Sequence, residues 1–357
     1  MNRRIFGWFL GLGVVGGSVG ALVAAGAPGL NQDQTPPPVP LGLPPVQWPA
    51  DNPYTHEKAE LGKLLYFDPR LSSDATVSCA SCHAPEKGYT DCAPVSTGIK
   101  QQKGGRSAPT VINRAYTTLQ FWDGRASSLE EQAKGPLANP IEMTNEQEAD
   151  KAHDAAMGRL RQIPGYVALF EKAYGDRTVT LDQVAKAIAT FERTVVSGNA
   201  PYDRYKAGET KAMTTAQVNG MKLFFGKARC DSCHLGFNFS DESFMNIGIG
   251  WEKGEPADLG RFKVTDREED KGAFKTPTLR DIPLTGPYMH DGSMATLEEV
   301  VEHYNQGGIK NPYLSQSMKP LGLTDEEQAD LIDFLKNGLN GEGWQQIKTP
   351  KAADFPH

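Results

Sequence analysis

Two short segments carry the chemistry of this sequence: CASCH at residues 79–83 and CDSCH at residues 230–234. Two cysteines separated by two residues, with a histidine directly after, form the spacing that attaches a c-type haem. The cysteines make thioether bonds and the imidazole binds the iron. On that reading Cys79 and Cys82 hold one haem with His83 on its iron, and Cys230 and Cys233 hold a second with His234. One such motif can arise by chance, bind zinc or act as a redox dithiol. Two in one chain, without another metal-ligand cluster in the sequence, point to two covalent haems. Four of the five cysteines are thereby used, and Cys92 is left as a solitary, partly buried thiol. After His83 there is no histidine and no methionine until Met143, so the usual sixth ligands are missing near the first motif. Whether that iron is open separates an enzyme from an electron carrier.

The segments around the motifs read as helices that would position them. HEKAELGKLLYFDPRLS precedes Cys79, and TLDQVAKAIATFERTVVSG closes the same half. Before Cys230, Thr214 or Thr215 can cap an amphipathic run with Val218, Met221, Leu223, Phe224 and Phe225. Near the far end, Thr324 and Glu327 form a capping box, Leu331, Ile332, Phe334 and Leu335 follow, and Gly338 can stop the helix. A helix leading into a haem motif and another closing the domain is the layout of cytochrome c. Strand signals are weak. The expected fold class is mainly α, with two cytochrome c-like haem domains in tandem.

The 357 residues suit two domains, and a net charge of -7 without a basic stripe gives no sign of nucleic-acid binding. Arg3 and Arg4 precede an uncharged run from Ile5 to Leu30, the layout of an export signal or an uncleaved membrane anchor. Either places the body outside the cytoplasm, in the periplasm, with contact to a membrane only through that segment. A proline-rich stretch over 31–50 reads as an extended spacer or strap. The expected organisation is therefore a signal or anchor over 1–30, a linker over 31–50, haem domains over 51–205 and 206–345, and a tail over 346–357.

SAPTVINRAYTTLQFWDGRASSLEEQAKGPLANPIEM (107–143) and FKTPTLRDIPLTGPYMHDGSMATLEEVVEHY (274–304) make the resemblance more specific. With both haem motifs in order, the sequence resembles the bacterial di-haem cytochrome c peroxidases and their MauG-type relatives from about residue 55 to 340. The resemblance implies that the N-terminal haem reduces hydrogen peroxide and the C-terminal haem exchanges electrons with it. It makes His83 the proximal ligand of the peroxide-reacting haem and Glu142 the distal-pocket glutamate, with Gln132 and Pro136 lining that pocket. Trp122 matches the tryptophan between the haems. A carboxyl group beside the distal face can move a proton from the inner to the outer peroxide oxygen. Arg125 fits a haem propionate or Asp123 better than the chemistry.

Two departures from the classical pattern matter. In STGIKQQKGG, Ile99 stands where many members carry a resting histidine ligand, and isoleucine cannot bind iron. Lys87, Tyr89, Cys92 and Lys100 are substitutes out of position, so the first iron is expected to be open. At the second haem Tyr304 replaces the classical methionine, as in the MauG group, and an anionic oxygen ligand favours ferric iron. His303, Met289 and Met294 are fallback ligands, and His290 is expected to support the haem surroundings. The resemblance further implies a calcium ion held largely by carbonyls, with Thr285 and Pro287 at two positions and Ser107 where an asparagine is usual. The expected function is peroxide reduction fed by a small cytochrome c or cupredoxin. One alternative is MauG-like oxidation of Trp or Tyr side chains on a partner protein, and another is a non-catalytic electron carrier.

Overall fold

The computed structural model describes residues 34–357; the expected signal or anchor over 1–30 lies outside the described residues. Among the described residues no helix is long and apolar enough to cross a membrane. Each haem motif follows a helix that crosses a second helix from the other end of the same half. Helix α1 (His56–Phe67) starts where the Thr55 hydroxyl accepts from the Lys58 amide, and it buries Leu61, Leu65 and Tyr66. Then come α2 (Leu129–Leu137), α3 (Ala149–Arg161), α4 (Pro164–Tyr174) and α5 (Leu181–Glu192), the last opened by a Thr180–Gln183 capping box. Helices α1 and α5 cross at Gly62, where a Cβ would collide with the Ala187 carbonyl.

The second half repeats the device. Helix α6 (Thr215–Phe224) is capped by Thr214 and Gln217, and α8 (Asp325–Asp333) by Thr324 and Glu327. They cross at Gly220, where a Cβ would strike the Asp330 carbonyl. Between them, α7 (Leu297–Gln306) is capped by Thr296 and Glu299. One expectation needs correction. Helix α6 ends at Phe224, so Phe225 is 42% exposed and stacks on Tyr202 at the surface rather than joining the core. Helix α8 runs on as far as Gly338, the expected stop. It widens into a π-helical turn over Phe334–Gly338 that keeps Phe334, Leu335 and Leu339 buried.

Two hydrophobic cores result, one built from Leu61 to Val195 and the other from Met213 to Leu339. A loop after each motif also repeats. The Thr110 hydroxyl donates to the Gly88 carbonyl and accepts from the Ile112 amide; Thr278 does the same with Asn238 and Arg280. Asn113 and Asp281, both left-handed (φ 61° and 55°), then tie these loops to Ser197 and Gly341. There Ser197–Gly198 pairs antiparallel with Glu342–Gly343, joining the halves. The described strands are all pairs of this two-residue length.

Ion pairs reinforce the join. Arg280 makes a two-pronged buried contact with Asp203 (2.8 and 2.9 Å), and removing one partner of such a pair costs about 3–5 kcal/mol. Arg106 reaches Asp258 at 2.6 Å and Asp123 at 2.7 Å. The proline-rich segment is an extended strap over the join, with the Leu41 carbonyl accepting from the Asn199 amide and the Pro44 carbonyl from the Tyr116 hydroxyl. Residues 344–357 lie against the first core. Trp344 meets Tyr89 edge-on at 5.9 Å, Arg70 donates to the Pro356 carbonyl, and the Gly165 amide donates to the His357 carbonyl.

Candidate active site

Cys79–Cys82 form one helical turn, with the Ser78 amide donating to the Ser81 hydroxyl at its start, and His83 follows directly. The Tyr66 hydroxyl donates to the His83 carbonyl (2.8 Å), and His83 Nδ1 lies 3.3 Å from the Tyr89 carbonyl. His234 Nδ1 lies 3.0 Å from the Phe239 carbonyl. A backbone carbonyl on Nδ1 fixes the ring and leaves Nε2 as the free nitrogen, the usual support of a ligating histidine. Burial holds both imidazoles below the ordinary histidine value, hence neutral.

Each motif opens on its own cavity. Cys79, Cys82 and His83 line one, and Cys230, Cys233 and His234 line another. Apolar side chains including Phe224, Ile282, Leu297, Val301 and Leu331 wall the second. A zinc site needs its thiols and imidazoles to converge on one point. Among the described residues no three His, Cys, Asp or Glu side chains do so. Two partly apolar chambers with attachment thiols and a fixed imidazole fit a covalent haem in each.

In the first cavity α2 supplies one wall. Its start is capped by Ser128, and Gln132 and Pro136, one turn apart on one face, both line the chamber. Glu142 joins them. Asn139 Nδ2 donates to Glu142 Oε1 at 2.6 Å, while Asn139 Oδ1 accepts from the Ile141 amide. Burial raises the Glu142 carboxyl above the ordinary range, opposed by the Arg125 charge and the Asn139 bond. Asn139 was not singled out from the sequence; its signal is the turn-forming Asn-Pro pair in NPIEM.

Ile99 plays an unexpected part. Its side chain is fully buried in the first core, and Gly98 lines the cavity in its place. The Ile99 amide donates to the Glu142 carbonyl at 3.0 Å, so this loop pins the backbone that carries the carboxyl group. Lys87, Tyr89, Cys92 and Lys100 do not line the cavity, and among the described residues Met143 is the one thioether that does. Cys92 is exposed rather than partly buried, because a left-handed turn closed on the Thr90 hydroxyl carries it to the surface.

Trp122 lines both cavities and donates from Nε1 to the Ser107 carbonyl at 2.9 Å. Arg125 pairs with Asp123 (3.1 Å) and lies over the Phe121 ring, as its sequence position suggested. Tyr304, on α7, lines the second cavity, and burial drives its hydroxyl far above the usual tyrosine value. Neighbouring His303 directs Nε2 to the Ile247 carbonyl at 2.9 Å. Of the fallback methionines, Met289 lines the cavity and Met294 does not. His290 is buried and stacks on Phe274 at 3.6 Å. Ser107, Thr285 and Pro287 all border the second cavity, and the Ser107 amide donates to the His290 carbonyl. Sequence reasoning also missed Arg114, which lines both cavities, and Asp258 and Lys263, which reach the first from the second half.

A family model described as di-haem cytochrome c peroxidase matches residues 56–211. The chain is 43% identical over 292 residues to the methylamine utilization protein MauG of Methylorubrum extorquens, covering 82% of this chain and 80% of that one. It is 40% identical over 295 residues to the cytochrome c551 peroxidase of Nitrosomonas europaea, covering 82% and 83%. A crystal structure of a MauG-like protein associated with microbial copper homeostasis superimposes with a TM-score of 0.79 at 34% identity. That match covers 88% of this chain and 96% of the other.

Proposed function

This chain belongs to the di-haem cytochrome c peroxidase family, and on that premise we propose that it reduces hydrogen peroxide at an open first site, with the second site as its electronic partner. It is an oxidoreductase with two covalent haems. When bound, they supply redox-active iron for the two-electron reduction of peroxide to water.

The chain's own residues organise the protons. Glu142 as carboxylate accepts the proton of the inner peroxide oxygen and returns it to the outer, leaving oxygen. Asn139 occupies Oε1, which leaves Oε2 for the substrate. The Gln132 amide orients peroxide without titrating, and Pro136 presents a wall without an N–H. Trp122 is the aromatic connection between the two chambers, and Tyr304 would hold the second iron through an anionic oxygen that favours the ferric state. The observation that carries this reading is a raised carboxyl sharing a cavity with His83 while the Ile99 side chain is turned into the core.

We further read 51–205 and 206–345 as the two haem domains, a periplasmic location from the N-terminal segment, and calcium at the carbonyls of Ser107, Thr285 and Pro287. The resting ferric protein is the test of the open site. A high-spin component at room temperature is expected, and two purely low-spin haems would refute it.

A second reading has a specific basis. Tyr304 in place of methionine, with the 43% identity to a MauG protein, supports oxidation of Trp or Tyr side chains on a partner protein. Steady-state turnover with peroxide and a reduced small cytochrome or cupredoxin separates the two. Rapid turnover supports the peroxidase, and negligible turnover with a long-lived oxidised protein supports the partner-oxidising reading.

A further inference from the structure

Arg114 is a buried cation without an ion-pair partner among the described residues. It is 9% exposed. Its one side-chain hydrogen bond runs from Nε to the Thr110 carbonyl at 2.9 Å, so the two outer nitrogens are uncommitted. Arg280, also buried, shows the ordinary arrangement, with both prongs on the Asp203 carboxylate. Glu192 and Glu242 influence Arg114 only at a distance. Glu242 lies instead 3.4 Å from Lys275, a second buried cation that faces the second cavity and repels Arg114. A desolvated guanidinium with carboxylates only at a distance and none paired to it is unfavourable unless an anion completes the site.

The position of Arg114 says where that anion enters. Of the cationic side chains lining the two cavities, Arg114 alone lines both, alongside Trp122. Each c-type haem carries two propionate carboxylates, and the two outer guanidinium nitrogens, each with two N–H donors, can serve different carboxylates. We propose that Arg114 is a shared anchor for the propionates of both haems, one fixed positive charge serving two redox centres. The inference rests on the two-haem content of the family and not on the peroxide reading.

A positive charge shared in this way disfavours the oxidised, more positive iron on both sides, so it raises both potentials together. The test uses the holoprotein with Arg114→Gln and Arg114→Lys, without peroxide. Haem content is measured first, then both midpoint potentials by spectroelectrochemical titration. In Arg114→Gln both potentials are expected to fall. Arg114→Lys, which keeps the charge but loses the fork, should give smaller shifts of the same sign at both. A shift confined to one haem, or none at either, would overturn the proposal. Should Arg114→Gln not load two haems, Arg114→Lys decides on the same criterion.

Discussion

Replacing Glu142 by glutamine keeps the shape of the side chain and removes its ability to carry a proton. The Asn139 bond survives, since the glutamine oxygen can still accept it, and the Ile99 amide still pins the backbone carbonyl. The fold should therefore be indifferent and the loss purely chemical. A positioned acid–base group contributes roughly 10²- to 10⁴-fold. The first cavity is large enough to admit water that can relay protons in part, which favours the lower half, about 10²- to 10³-fold. That corresponds to about 2.7–4.1 kcal/mol of barrier. The pH dependence sharpens the test. Burial raises the Glu142 carboxyl, and the base form exists only above its pKa, so the rate climbs as pH rises through that raised value. Asn139→Ala removes a donor that favours the charged form, and should move the climb to higher pH. Stopped-flow mixing of the ferric holoprotein with peroxide gives the second-order constant directly. If Glu142→Gln reacts within about threefold of the parent, or keeps the same climb with pH, Glu142 is not the proton carrier.

Three further outcomes follow from the same structure. Tyr304→Phe should convert the second haem to a high-spin spectrum and raise its potential, because a hard anionic ligand is lost; an unchanged spectrum would remove Tyr304 from the iron. Gly62→Ala forces a methyl group into the Ala187 carbonyl and should cost about 1–3 kcal/mol, read as a lower urea midpoint. Asp258 is held down to about 2 by Arg106, so its contribution to stability is present above the ordinary carboxylate value and lost as pH falls toward 2. Acid titration of Asp258→Asn should therefore show a shallower stability loss over that interval than the parent.

Local chemistry was readable in the sequence wherever a motif is short. The two haem motifs, the Thr214 and Thr324 helix starts and the Glu142 and Trp122 positions all depend on neighbours within a few residues or on a family pattern. What escaped depends on distant partners. Arg106 finds Asp258 across the join, and no local rule pairs them. Arg114 looks like any arginine until both cavities are seen to meet at it. Ile99 reads as a vacant ligand position, yet the direction of its side chain is set by the first core and its backbone serves Glu142. Phe225 and Cys92 were misjudged because exposure is decided by where a helix or turn ends, one residue either way.

The stretch from Trp344 to His357 leaves the ribosome after both haem motifs, yet it finishes the half that was made first. Trp344 braces Tyr89, whose carbonyl faces the Nδ1 of His83, and Arg70 waits for Pro356. Such contacts between remote parts of a chain are slow to form. The first haem pocket is thus the earliest begun and the last sealed, and a protease cutting ahead of Trp344 would loosen the footing of His83 while sparing the second hydrophobic core.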